Sequence, residues 1–222
     1  MNEKTEHALE QARTMFRLYE NSIAHMGRPA GGGLCVPAAV ITGAMCFRND
    51  IRCYICAGTA RFRIVHPDND DGSSSTHLEF RYGEEVPESG LFRPDGIMTE
   101  IHSWAVVVDD DSPSTGGGQL TMEDIPNAYL VDWSAPGIPN LCRELVGLDW
   151  DREMPTPLPV IPMQVVPAFA YGQYYQPIED ACIRLVECSH DVLATTMKMI
   201  VEAAASGMDM EGVNITIMEV DS

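Results

Sequence analysis

The feature that most constrains the fold is an apolar segment that follows three consecutive glycines. The glycines at 31–33 free the backbone just before Cys35, and Pro37 fits most easily into the first turn of a helix. Over residues 36–47 only Thr42 is polar. A helix that is apolar on every side belongs in the middle of a domain. The sequence therefore predicts a buried helix that begins at Cys35.

A cysteine at the start of a helix has two interpretations. The unpaired amide groups and the positive end of the helix dipole stabilise a thiolate there, which would make Cys35 a nucleophile. The alternative is a small buried hydrophobic side chain, because free cysteine is among the most buried residue types. The residues around Cys35 leave both interpretations open.

The length of 222 residues suits one domain with a substantial core. We expect a single domain over residues 1–222. Its parts are an amphipathic helix over residues 3–25, a core at about 30–135, and a proline-rich surface segment with a C-terminal helix and strand over 154–222. The C-terminal helix is predicted at 177–206, with a break near Ser189.

Between the buried helix and the proline-rich segment the pattern changes to that of strands. The first two are predicted to form a hairpin with Gly58-Thr59 as its turn, and the polar side chains of His102 and Asp132 lie in two later strands. The predicted fold class is therefore α+β, with the buried helix packed on an antiparallel sheet. The predicted strands cover residues 51–57, 61–65, 77–82, 101–108, 128–133 and 213–220.

The net charge of −19, from 14 basic and 33 acidic side chains, leaves little to neutralise phosphate groups. Nucleic acid and anionic membranes are therefore disfavoured as partners. The acidic runs at 68–71 and 109–111 are predicted to be solvated loops. Their functional alternative is the attraction of a cationic substrate.

Seven cysteines are an odd number, so at least one thiol is free, and a reducing compartment fits best. Residues 1–7 lack the apolar core of a signal peptide, and no run approaches the ~20 apolar residues that span a bilayer. We expect a cytoplasmic protein, with export as an effector by a route without a cleavable signal left open. The oligomeric state is also left open.

Three residue types that together make an activated thiol occur in order along the chain: Cys35, His102 and Asp132. A thiol nucleophile needs a base, and the base needs a group that fixes its tautomer and stabilises its charged form. A histidine on a strand by itself is more often structural. However, an aspartate is almost never buried without a partner, so Asp132 in an apolar strand favours a catalytic triad.

Three short motifs resemble those of transglutaminase-like domains. His-Ser-Trp at 102–104 resembles their His-x-Trp on a strand, Val-Asp at 131–132 resembles their strand aspartate, and Gly-Leu-Cys at 33–35 is similar to their nucleophile position. The resemblance covers about residues 30–135. Similarity to papain-like peptidases is more distant, because their signature around the cysteine is absent and their histidine lies further along the chain.

The resemblance implies a transglutaminase/papain-like core and attack by Cys35 on an amide or ester carbonyl, with a thioester intermediate released to water or an amine. We expect hydrolysis of a peptide, protein or small amide substrate, as in peptidases, amidases and deamidases, and no cofactor or metal. Transfer to an amine is the first alternative. A non-catalytic binding module of the same fold is the second, since fold alone does not fix activity. The Cys35 amide is expected in the oxyanion hole, with Tyr19, Asn21 and Trp104 as unresolved side-chain candidates.

Two other pairs of cysteines are alternative candidates for a site. Cys53 and Cys56 have the spacing of a zinc or redox site, with His66 and His77 further on. On a strand, however, side chains three residues apart face opposite sides, so a structural role is favoured. A structural role is also favoured for Cys182 and Cys188 in the C-terminal helix.

Overall fold

The computed structural model describes residues 1–27, 34–67, 75–82, 101–110, 120–138, 157–163 and 173–208. Within these ranges, three helices of at least three turns pack with a six-stranded antiparallel sheet, which confirms the α+β class. The helices are α1 (Glu3–His25), α2 (Cys35–Arg48) and α3 (Glu179–Ala205). The strands are β1 (Cys53–Pro67), β2 (Ser75–Tyr82), β3 (His102–Val108), β4 (Ala128–Val131), β5 (Val160–Pro162) and β6 (Gln173–Pro177).

The first two helices follow the predicted bounds, and a few hydrogen bonds hold each of them in place. The side chain of Asn2 accepts a hydrogen bond from the Thr5 amide at 2.8 Å and so caps the start of α1. In α2, the one polar side chain within its apolar run has two partners. The Thr42 hydroxyl donates to Ala38 O at 2.7 Å and accepts from Trp133 Nε1 at 3.0 Å. This contact ties the middle of α2 to the chain just after β4.

The strand order β2-β1-β3-β4-β5 places β3 at the centre of the sheet, and β6 pairs with β1. One face of β3 carries Ala105 and Val107, which pack in a cluster with Ala8 of α1 and Cys46 of α2. The opposite face carries Trp104, which packs with aromatic and aliphatic side chains of the neighbouring strands. The two faces of β3 therefore belong to different parts of the core.

The predicted hairpin around Gly58-Thr59 is wrong, because β1 runs through both residues. Its pairing partner changes there instead: residues 53–58 pair with β3, while β6 and β2 pair with the part from Gly58 onward. A Cβ atom on Gly58 would lie 2.1 Å from Gln176 O. The glycine therefore allows two strands to approach closely and does not form a turn.

Other bounds also differ from the sequence predictions. β4 ends at Val131, so Asp132 lies in the turn after the strand, and α3 continues through Ser189 without a break. The short strand β5 lies at the edge of the sheet, where prolines are tolerated. The glycines at 31–33, the acidic run at 68–71 and the predicted strand at 213–220 lie outside the described residues.

The acidic run that follows β3 is only partly described, and its two described members are paired. The Asp109 carboxylate accepts hydrogen bonds from the Asn2 amide at 3.0 and 3.1 Å. Asp110 forms an ion pair with Arg52, which also contacts Asp124 at 2.8 Å. These two aspartates therefore connect the end of β3 to its neighbours, and the prediction of solvated side chains was wrong for them. Across the described ranges, no helix is both long and apolar enough to cross a membrane.

Candidate active site

A buried histidine–aspartate pair lies where β3 begins and β4 ends. His102 is the first residue of β3 and is 0% exposed, and Asp132 directly follows β4 and is 1% exposed. The two strands are hydrogen-bonded neighbours, which brings both residues to one region of the sheet. His102 Nε2 donates to Asp132 Oδ2 at 2.6 Å. This short contact fixes the orientation of the imidazole.

The carboxylate of Asp132 is fully hydrogen-bonded despite its burial. Oδ1 accepts from Ser134 Oγ at 2.6 Å, from the Ser134 amide at 3.1 Å and from the Ala135 amide at 3.2 Å. Oδ2 accepts from the Tyr175 hydroxyl at 2.9 Å as well as from His102. Burial would raise the pKa of Asp132, but His102 and these donors hold the pKa below its usual value. The arrangement stabilises a buried anion behind the imidazole.

The imidazole of His102 is surrounded by aromatic rings. Phe62 meets it edge-on at 5.3 Å between centroids, Tyr82 lies tilted at 4.7 Å, and Trp104 stacks at 6.4 Å. Tyr175 lies at 5.9 Å. Because these rings exclude water, the charge of Asp132 acts on the imidazole through a medium of low polarity.

Cys35 is the first residue of α2 and is 7% exposed. Its Sγ lies 4.0 Å from Ile101 O, the backbone of the residue that precedes His102. Its thiol also interacts with the His102 imidazole. Since Nε2 of His102 is bound to Asp132, Nδ1 is the ring nitrogen left for the sulfur. Within the described ranges Nδ1 has no aligned hydrogen bond.

The protonation of His102 follows from these neighbours. Burial alone would lower the pKa of His102, but the electrostatic interactions with Asp132 and with the Cys35 side chain, together with the hydrogen bond to Asp132, more than offset burial and raise the pKa to about 10. An imidazolium between a carboxylate and a sulfur atom is therefore favoured at neutral pH. The structure thus brings together all three side chains that the sequence selected.

Sequence reasoning missed the groups behind Asp132. Tyr175 comes from β6, and its hydroxyl also accepts a hydrogen bond from Gln173 Nε2 at 3.0 Å. Gln173 is buried and contacts both the amide and the carbonyl of Leu158 at 3.2 Å. No local signal in the sequence brings Tyr175 to Asp132, because β6 pairs with β1 and not with β4. Ser134 had such a signal, because an aspartate commonly bonds the residue two positions on in a turn.

The sequence also contains two cysteines with the spacing of a metal or redox site and three side chains that are candidate oxyanion donors. Cys53 is paired with Val107 and Cys56 with Trp104, so the two thiols face opposite sides of the sheet. Among the described residues, no group of three His, Cys, Asp or Glu side chains is placed to hold a metal ion. Of the proposed oxyanion donors, Trp104 contacts the imidazole by stacking, and Tyr19 packs near Leu34, the residue before Cys35.

Comparison with known proteins gives little to set beside this geometry. No family model matches the chain, and no curated protein matches it significantly. A crystal structure of a genomics target is similar at 12% identity, over 93% of this chain and 82% of the other, with a TM-score of 0.42. A similarity at that level carries no argument about fold or function.

Proposed function

We propose that this chain is a thiol-dependent acyl-transfer enzyme in which Cys35 is the nucleophile, His102 the general acid–base and Asp132 the group that orients His102. The observation that carries the proposal is the position of a wholly buried imidazole between a hydrogen-bonded carboxylate and a thiol at the start of a helix. Each partner has the chemistry that its role requires. The transglutaminase-like or papain-like core implied by the sequence motifs belongs to the same proposal.

The proposed reaction has two steps. The Cys35 thiolate attacks the carbonyl carbon of an amide, and the imidazolium of His102 gives its proton to the leaving amine as the carbon–nitrogen bond breaks. Water then attacks the thioester carbonyl and gives a proton to His102, and the carbon–sulfur bond breaks. The carboxylic acid leaves, and the Cys35 thiolate and the His102 imidazolium are restored. The backbone amide of Cys35, at the start of α2, is the proposed oxyanion donor.

Hydrolysis of a peptide, protein or small amide is the favoured reaction, with transfer of the acyl group to an amine as the alternative. The net charge of −19 favours a cationic substrate. A cytoplasmic location and a single domain over residues 1–222 are part of the same proposal.

A second candidate function is a non-catalytic binding module. The burial of Cys35, at 7% exposure, and of His102, at 0%, favours it, because a substrate carbonyl must reach the sulfur for acyl transfer to occur. In that case the His102–Asp132 pair would be structural, and Cys35 would be a small apolar core residue.

Alkylation with iodoacetamide near neutral pH separates the two candidates. If the thiol is activated, Cys35 reacts well before Cys46, Cys53 and Cys56, as measured by mass spectrometry of peptides after timed labelling. The experiment uses a Cys182→Ser background, because the low pKa of Cys182, about 6, makes that thiol reactive as well.

Two further variants assign the role of His102. In His102→Ala the early reaction of Cys35 is lost, because no imidazolium remains beside the sulfur. In Asp191→Asn, at an exposed pair on α3, labelling is unchanged. Uniform slow labelling of all the cysteines in the parent protein would contradict the acyl-transfer proposal. A screen of peptide, glutamine-amide and ester substrates then distinguishes hydrolysis from transfer.

A further inference from the structure

A second thiol site lies where α3 begins against β1. The Sγ of Cys182 accepts a hydrogen bond from the Ala57 amide at 3.2 Å and donates to Ala57 O at 3.3 Å. The Ala57 carbonyl also accepts a hydrogen bond from the Ile178 amide at 2.9 Å, and the pairing of β1 with β6 begins at Gly58. Cys182 thus forms hydrogen bonds with the backbone of β1 next to the residue where the pairing with β6 begins.

The sulfur of Cys182 has the surroundings of a stabilised thiolate. It lies in the first turns of α3, accepts a hydrogen bond from the Ala57 amide, and has its pKa lowered by the backbone of Ala57 and Ile178. The thiol of Cys56, the residue before Ala57, interacts with it directly. The hydrogen bond from Cys56 is the largest cause that lowers the pKa of Cys182 to about 6, and the same contact raises the pKa of Cys56.

We propose that Cys56 and Cys182 form a reversible disulfide by exchange with a small-molecule disulfide of the glutathione class. Both residues are partly exposed, which gives a small disulfide a route to this pair. The bond would link α3 to β1 across 126 chain positions, from 56 to 182. This site is separate from Cys35 and does not depend on acyl transfer.

The exchange proceeds in two balanced steps. The Cys182 thiolate attacks one sulfur of oxidised glutathione, which breaks its S–S bond, forms a mixed disulfide and releases one glutathione thiolate. Cys56 then loses its proton to solvent and attacks the Cys182 sulfur, which releases the second glutathione. The two protein thiols are oxidised to one disulfide, and one glutathione disulfide is reduced to two thiols that take up the protons.

The chain contains a matched pair for comparison. Cys46 and Cys53 also interact through their thiols, but Cys46 is 0% exposed. The pKa of Cys53 is raised, by the hydrogen bond with Cys46 and by burial. Because a small disulfide cannot reach Cys46 and the thiolate of Cys53 is disfavoured, this pair should stay reduced. Proximity of two sulfur atoms alone therefore does not predict oxidation.

The test uses the full chain, fully reduced and then incubated without denaturant with oxidised glutathione. We expect loss of two hydrogens from the intact mass, a single linkage between Cys56 and Cys182 in peptide maps, and a higher Tm than that of the reduced protein. Cys46→Ser should oxidise like the parent. Cys182→Ser should form no such linkage, and Cys56→Ser should stop at the mixed disulfide on Cys182.

The rate of the first step provides a second measurement on the same helix. Cys188 is also partly exposed, but burial raises its pKa. In the parent protein at neutral pH, Cys182 should react with oxidised glutathione several-fold faster than Cys188, because a larger fraction of Cys182 is thiolate. Equal rates, a linkage at Cys46–Cys53, or no linkage after prolonged incubation would overturn the proposal.

Discussion

Replacement of Asp132 by asparagine tests the physical basis of the candidate active site. The side chain keeps its shape and loses its charge. The pKa of His102 stands at about 10 against an ordinary 6.5, a difference that corresponds to about 5 kcal/mol in favour of the imidazolium. Burial is the largest single influence on His102 and acts to lower the pKa. Without the carboxylate we therefore expect the pKa of His102 to fall, because Cys35 alone then opposes the effect of burial.

The consequence for stability has a defined sign. A histidine whose pKa is higher in the folded than in the unfolded state contributes stability that is complete below 6.5 and is lost as the pH rises through about 10. The parent protein should therefore lose unfolding free energy over that interval, to an upper limit of about 5 kcal/mol. In Asp132→Asn that loss should become smaller, and the variant should be less stable than the parent at neutral pH.

The measurement is an NMR titration of isotope-labelled histidine, of which the chain has six, together with denaturant unfolding at neutral pH and near pH 10. The matched control is Asp191→Asn, because His190 and Asp191 also form a histidine–aspartate pair, 3.8 Å apart but 93% and 92% exposed. That substitution should leave the His102 titration unchanged. A His102 pKa that is the same with and without Asp132 would refute the electrostatic account.

Three further predictions concern neighbouring features. Tyr175→Phe removes a hydrogen bond to Asp132, whose pKa lies below its usual 3.8 and so contributes stability above that pH that is lost as the pH falls. The variant should lose about 1.5–3 kcal/mol of unfolding free energy, and its acid-unfolding midpoint should move to higher pH. Tyr174→Phe removes an exposed hydrogen bond and should not move the midpoint. Gly58→Ala should cost about 1–3 kcal/mol or more in denaturant unfolding, because the new Cβ would lie 2.1 Å from the backbone oxygen of Gln176. Gly43→Ala should cost less, since its Cβ would meet a side-chain methyl, Ile55 Cγ2, at 2.9 Å and no backbone atom; equal losses would contradict this reasoning. If the acidic surface attracts a cationic substrate, kcat/KM should fall as ionic strength rises and the Debye length shortens to about 8–10 Å; a flat dependence would indicate that the charge serves solubility.

The sequence by itself determined the elements whose signals are local. The glycines at 31–33, Pro37 and the apolar run predict α2 and place Cys35 at its first residue, as observed. Spacings of three and four residues predict α1 over residues 3–25. Asp132 could be selected without a structure because a carboxylate in an apolar segment requires a partner, and His102 was the candidate on a neighbouring strand.

The tertiary structure decided which distant segments meet. Tyr175 reaches Asp132 across 43 positions, Trp133 reaches Thr42 across 91, and Cys182 reaches Ala57 across 125. Only the tertiary structure showed that β1 continues through Gly58. In the sequence a glycine looks the same whether the chain turns there or a second strand approaches. Periodicity and turn chemistry report only neighbours within one element. The pairing of strands depends on the free energy of the whole sheet, which no short stretch of sequence contains.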